Sequence, residues 1–201
     1  MNPSQRLFSS TLAVAGASLL LGALTSWAQG VLPDALASFA NSPSGWTVLT
    51  ALLVGATRPT LPLGAVLGVV SFVGLVLGYT VASELRGLSY DPVLWSVVGI
   101  VAGPFVGVAA AAVVGPRALH AALGAGALAG VLIADGIYGL TVVGSSTSPV
   151  YWTLCIVAGC AVVALTTARV RTPAGVAIAL VSAAAATGVL SLGYGVLNAG
   201  C

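Results

Sequence analysis

The charges in this chain are few and far apart. It runs uncharged from Arg6 to Asp34, from Asp34 to Arg58, from Arg58 to Glu84, from Asp91 to Arg117, from Asp135 to Arg169 and from Arg171 to its last residue. Each gap matches or exceeds the roughly 20 apolar residues that carry a helix across a bilayer core. Only 5% of the residues are charged, against about 25% in a water-soluble domain, so a soluble fold of this length could not cover its surface. The runs are continuous rather than alternating, which excludes the short apolar/polar strands of a membrane barrel. The expected fold is all-α: a polytopic transmembrane helical bundle forming a single integral membrane domain over residues 1–201.

The runs divide into spans at their breakers. A first helix is expected over residues 7–29. Arg6 ahead of it and Ser26-Trp27-Ala28 near its end raise the alternative of a signal peptide. The run is longer than a typical signal core, and Trp27 suits an interfacial anchor, so an uncleaved span is the favoured reading. Pro33 and Asp34 then mark a helix start, with the acid at the positive end of the helix dipole. Asn41-Ser-Pro-Ser-Gly45 reads as a breaker cluster. The apolar piece at 46–57 is too short to cross alone, so the second span is expected to be broken or re-entrant: a short helix at 34–40, a break at 41–45 and a second helix from Trp46. Further helices follow over 61–83, 93–114, 118–142, 151–168 and 174–197, giving about seven spans. Pro104 is expected to kink the fourth.

Positive charge near helix ends stays cytoplasmic. With the N-terminus inside, Arg6, Arg58, Arg117, Arg169 and Arg171 all fall on the cytoplasmic side, and only Arg86 falls outside, next to Glu84. The acids Asp34, Glu84 and Asp91 fall outside too. The expected placement is therefore the plasma membrane, multi-pass, with the N-terminus cytoplasmic and the C-terminus outside. A six-span arrangement with a re-entrant segment remains the alternative. Arginine without lysine, in a chain rich in Ala, Gly and Val, points to a GC-rich bacterial genome.

One acid lies deep in an apolar run. Asp135 in Ala134-Asp135-Gly136-Ile137-Tyr138 sits about 10 Å below the outer end of its helix at 1.5 Å per residue. A charge at a helix centre in lipid costs on the order of 2.5 to 3.5 kcal/mol, so it calls for a partner or a purpose. Tyr138, three residues on, offers a phenol on nearly the same face. Tyr79, Glu84, Trp95, Tyr194, Asn198 and the break at 41–46 lie on the same outer side. The functional reading is an outward-facing ligand pocket: Asp135 pairs with or hydrogen-bonds the ligand, Tyr138, Tyr79 and Trp46 wall it, Asn41 supplies amide contacts and Glu84 adds a second acid. The competing reading makes Asp135 a helix-pairing group and Trp46, Trp95, Tyr151 and Trp152 an interfacial aromatic belt.

Other features carry less. Small residues four apart at Gly64/Gly68, Gly74/Gly78, Gly99/Gly103/Gly107 and Gly126/Gly130 are close-packing faces, and Ala13/Ala17 offers another on the first helix. His120, beside Arg117, reads as a cap or headgroup contact. Cys155, Cys160 and Cys201 read as small apolar core residues, with no disulfide and no metal. No phosphate-binding Gly-Lys loop, HExxH or GxSxG is present, so neither an enzyme nor a self-powered pump is expected. No cofactor and no nucleic-acid partner are expected. The expected partners are the lipid bilayer, possible membrane subunits on the small-residue faces and a possible small-molecule ligand.

Leu21-Gly-Ala-Leu-Thr-Ser-Trp-Ala-Gln29, Ala40-Asn-Ser-Pro-Ser-Gly-Trp46, Gly78-Tyr79, Trp95 through Gly103-Pro104 and Asp135-Gly-Ile-Tyr138 together resemble a family of small actinobacterial multi-pass membrane proteins of unknown function. That resemblance implies an architecture and no activity. In size and helix number the chain is also similar to the S components of energy-coupling-factor transporters, which typically have six helices and dock their transport subunit through an AxxxA face; Ala13 and Ala17 match that spacing. The function expected is a small-solute binding or transport subunit drawing energy from partners, with a structural or assembly partner of another membrane complex as the alternative.

Overall fold

The computed structural model describes residues 3–199; Cys201 and what was expected of it lie outside the described residues. Its elements in chain order are α1 (Pro3–Val31), α2 (Asp34–Ala37), a 3-10 turn (Ser38–Asn41), α3 (Pro43–Ala56), α4 (Leu61–Leu85), α5 (Val93–Val114), α6 (Ala118–Thr141), α7 (Pro149–Val170) and α8 (Pro173–Ala199). Among the described residues six helices are long and apolar enough to cross a membrane, namely all but α2 and α3. An all-α polytopic bundle is thus what the uncharged runs fold into.

The second span departs from expectation at its break. Residues 41–45 are not a wide interruption, because α3 begins at Pro43, ahead of Trp46. Ser42 is extended at φ −126° and ψ 148°, and its hydroxyl accepts from the Gly45 backbone N–H at 3.1 Å. Pro43 at the first helical position has no N–H to leave unpaired. The polar cluster is therefore a helix cap, and only Ser42 leaves the helical path. A Cβ on Gly45 would lie 2.1 Å from the Phe39 carbonyl oxygen, so glycine is what lets the 3-10 turn fold back onto α3. Ser42→Ala removes the cap and is expected to lower stability by about 1–2 kcal/mol, read as an earlier thermal unfolding midpoint in detergent.

At 14 residues, α3 is about 21 Å long, short of the bilayer core. Its start lies beside Asp135 of α6 and Trp95 of α5, and its end packs Val54 against Val14, Leu67 and Ala110. Helix α3 thus fills the space among α1, α4, α5 and α6, while α6 joins that group to α7 and α8. The α2–α3 segment leaves the bundle end where α1 stops and delivers the chain to the end where α4 starts.

Helices in lipid gain little from hydrophobicity against one another, so close packing must hold them. The α4–α5 interface illustrates this. A Cβ on Gly107 would lie 1.9 Å from the Gly64 carbonyl oxygen, and one on Gly68 would lie 2.0 Å from that of Gly103. The two backbones touch, and no side chain fits between them. Buried hydroxyls add links from α1 through α4 to α3: Ser18 to Ser71 at 2.9 Å, Ser71 to Thr50 at 3.3 Å and Ser26 to Ser83 at 2.9 Å. Pro104 sits inside a helix that continues through it to Val114. Among the described residues the Ala13/Ala17 face of α1 is only partly covered: Ala13 is exposed, Ala17 is half-buried and Gly16 beside them has nothing within 4 Å of where a Cβ would be.

Three members of the expected aromatic belt are instead interior. Trp46, Tyr151 and Trp152 are buried, and Trp95 is half-buried against Trp46. Each packs on other rings, because the short α3 and the start of α7 bring them inward rather than toward headgroups. Trp27 does stand at the surface, with the Arg86 guanidinium 5.2 Å from its ring centre, and Arg86 also donates to the Ser26 carbonyl. Of the cysteines, Cys155 is buried and Cys160 is exposed.

Candidate functional site

Asp135 is 1% exposed, and two different helices meet its carboxylate. Oδ2 accepts from the Ser44 backbone N–H at 2.9 Å, and Oδ1 accepts from the Tyr194 hydroxyl of α8. Ser44 is the second residue of α3, so its N–H has no partner four residues back within the helix. A helix N-terminus also carries the positive end of the dipole, where a carboxylate is favoured. Asp135 therefore caps the broken span from across the bundle. The deep acid and the short helix, far apart in sequence, answer each other's unpaired groups.

A chain of hydroxyls extends from this point. The Tyr151 hydroxyl lies 2.7 Å from both Ser42 Oγ and Ser44 Oγ, and Ser44 Oγ lies 3.5 Å from Cys155 Sγ. Ser42 and Ser44 are buried. The polar path thus runs Tyr194, Asp135, Ser44, Tyr151 and Ser42, drawing on α8, α6, α3 and α7. Beside it an apolar cleft of about 320 Å³ is lined by Leu32, Leu36, Phe39, Leu154 and Ala158, and it ends on Tyr151 and Cys155. Tyr151 and Cys155, one turn apart on α7, belong to the apolar lining of the cleft and also contact Ser44 of the polar path.

The expected site residues fall into separate places. Tyr138 does not reach Asp135: its ring stacks on Tyr194 at 3.9 Å between centroids, and its hydroxyl donates to Asn198 Oδ1 at 3.3 Å. Trp46 and Tyr79 belong to a second aromatic group with Phe72, Tyr90 and Trp95, in which Trp46 donates to the Ala40 carbonyl at 3.2 Å and Tyr79 to Gln29 Oε1 at 2.7 Å. In the same group the Tyr90 hydroxyl is buried with no hydrogen-bond partner among the described residues, and burial first, then Tyr79 and Asp91, pushes its phenol above the ordinary range. Asn41 and Glu84 are exposed. Ser44, Ser42, Tyr151 and Tyr194 are the residues whose part in the node the sequence did not reveal. Tyr194 gave a weak signal as an aromatic on the outer side, whereas a backbone N–H donor gives none.

Residues 1–199 match the family described as a family of unknown function, DUF6518. The chain belongs to that family. No curated protein and no solved structure matches it. Membership of DUF6518 thus brings no ligand or reaction, and the geometry of the Asp135 node carries the functional argument. Chemically that node can accept and donate hydrogen bonds. No group of three or more His, Cys, Asp and Glu side chains suited to a metal comes together among the described residues.

Proposed function

We propose that this DUF6518 chain is a non-catalytic membrane protein that binds a small amphiphilic solute in the cleft between the broken span and α7, as a binding or transport subunit working with partners. The observation that supports this most is the apolar cleft against α7, whose inner wall includes Tyr151 and Cys155, the residues through which α7 reaches the Ser42 and Ser44 hydroxyls. Ligand sites are mostly apolar with a few convergent polar groups, and broken helices are common at transporter sites. The apolar lining selects the ligand's body, with the Tyr151 ring and Cys155 in the inner wall. Asp135 acts through α3, holding the helix start that presents Ser42 and Ser44. With the arginine-rich turns cytoplasmic, the protein lies in the plasma membrane with its N-terminus inside, α2–α3 as a seventh crossing and the node in the outer half.

Mass spectrometry of organic extracts of the purified protein tests this. A compound retained in near-stoichiometric amount is expected from the native chain. Leu154→Trp, which fills the cleft, is expected to lower its retention at least tenfold, on the scale of the kcal/mol that pocket contacts supply. Leu165→Trp, on an exposed stretch of the same helix, is expected to leave it unchanged. Equal retention in both variants, or no retained compound, overturns the reading.

A second reading, an assembly partner of another membrane complex, draws on a different observation. Ala13 and Gly16 of α1 are open, and such faces admit another helix closely. Co-purification from native membranes separates the two: a stoichiometric ATPase pair supports transport, and an unrelated complex supports assembly.

A further inference from the structure

At the opposite end of the bundle from Asp135, a cavity of about 400 Å³ opens between the α3–α4 and α5–α6 turns. Its lining includes Arg58, Thr60, Arg117 and His120, contains no acid, and has the small residues Ala111 and Ala112 as its buried floor. Arg58 and Arg117 are far apart in sequence, and the α4–α5 backbone contact of Gly64 with Gly107 brings their turns together.

Two further observations point to an anion. The exposed side chains of Arg58, Arg117 and His120 make no hydrogen bond or ion pair among the described residues, although Arg86 and Arg171 both donate to backbone carbonyls. Helices α4 and α6 both start at this cavity, each without a side-chain cap and without an acid in its first turn, so two sets of unpaired N–H groups and two positive dipole ends face the same region.

We propose that this cavity binds a phosphate group of net negative charge, supplied by the headgroup of an anionic phospholipid. Guanidinium groups match phosphate geometry bidentately, helix N-termini add backbone donors, and the ends of the membrane-crossing helices lie at headgroup depth. The site is independent of the cleft beside Tyr151, so either can fail without the other.

The full-length chain in detergent is titrated with phosphatidylglycerol, with phosphatidylcholine and with inorganic phosphate, and bound species are counted by native mass spectrometry. Phosphatidylglycerol is expected to be retained and phosphatidylcholine far less. An Arg58→Gln, Arg117→Gln double variant is expected to weaken retention by roughly tenfold or more, in line with the contribution of each arginine near an anionic surface. An Arg169→Gln, Arg171→Gln variant, which removes the same charge from the α7–α8 turn, is expected to bind as the native chain does. Arg117→Glu alone supplies a second readout with one substitution. Binding of inorganic phosphate, but not of phosphatidylglycerol, with the same arginine dependence keeps the phosphate site and assigns it a soluble source. Equal losses in both double variants, or no binding of either probe, overturn the proposal.

Discussion

Gly107→Val is expected to give no monodisperse folded protein, or one whose thermal midpoint falls further than that of any other single variant considered above. The added Cβ would meet the Gly64 carbonyl oxygen at 1.9 Å, a backbone atom that no rotamer change can move. Helices α4 and α5 must then separate along their whole contact. Overpacking a tight core typically costs about 1–3 kcal/mol when side chains can yield. Here only backbone can yield, which places the effect at or beyond about 3 kcal/mol. The same substitution at Gly16, where nothing lies within 4 Å, is expected to leave the midpoint nearly unchanged. Size-exclusion profiles and thermal unfolding in one detergent compare the two directly. A Gly107→Val protein as stable as Gly16→Val would disprove the backbone contact on which the bundle is built.

Asp135→Ala should be the second largest loss, and its partners explain the size. The substitution leaves the Ser44 N–H and the Tyr194 hydroxyl without an acceptor at a buried position. An unsatisfied buried donor costs about 1–3 kcal/mol, so two give about 2–6 kcal/mol before the membrane reference state is counted, and a loss of about 2–4 kcal/mol is expected. The lower part of that range reflects the partners that polar groups find in other membrane conformations. Asp135→Asn keeps one acceptor and sets an amide NH2 against the other donor, so an intermediate loss is expected. Tyr194→Phe removes one bond only. Combined with Asp135→Ala it should add little, because the bond it removes is already gone. Full additivity in that cycle, measured by thermal or denaturant unfolding, would show that Tyr194 and Asp135 are not coupled.

These two sites differ in how far the sequence revealed them. The small residues at Gly64, Gly68, Gly103 and Gly107 are visible as four-residue repeats, and a close-packing face follows from them. Which face meets which does not, since several helices here offer such a face and the choice depends on how α3 packs against α1, α4, α5 and α6. Asp135 stands out for the opposite reason, as the one acid inside an otherwise apolar helix. Its partners were hidden: a backbone N–H has no sequence signature, and Tyr194 becomes a neighbour only when α8 returns along α6. Tyr138 is one turn away on the same helix and looked the better partner. The stacking of its ring on Tyr194 directs its hydroxyl to Asn198 instead.

By itself the sequence determined the class of the protein. The spacing of its charges admits helices in a bilayer and little else, and helix ends fell where Pro, Gly and arginine interrupt the uncharged runs. It also determined that an acid lies deep and that the segment between the first two long helices is broken. Tertiary structure alone decided that the acid and the break belong together, that the Asn41–Gly45 cluster is a capped helix start rather than a gap, and that Arg58 and Arg117 share one cavity. The physical reason is the same in each case. Chain periodicity and the cost of burying charge act over a few residues and can be read locally, whereas a hydrogen bond between α3 and α6 depends on the path of every helix between them.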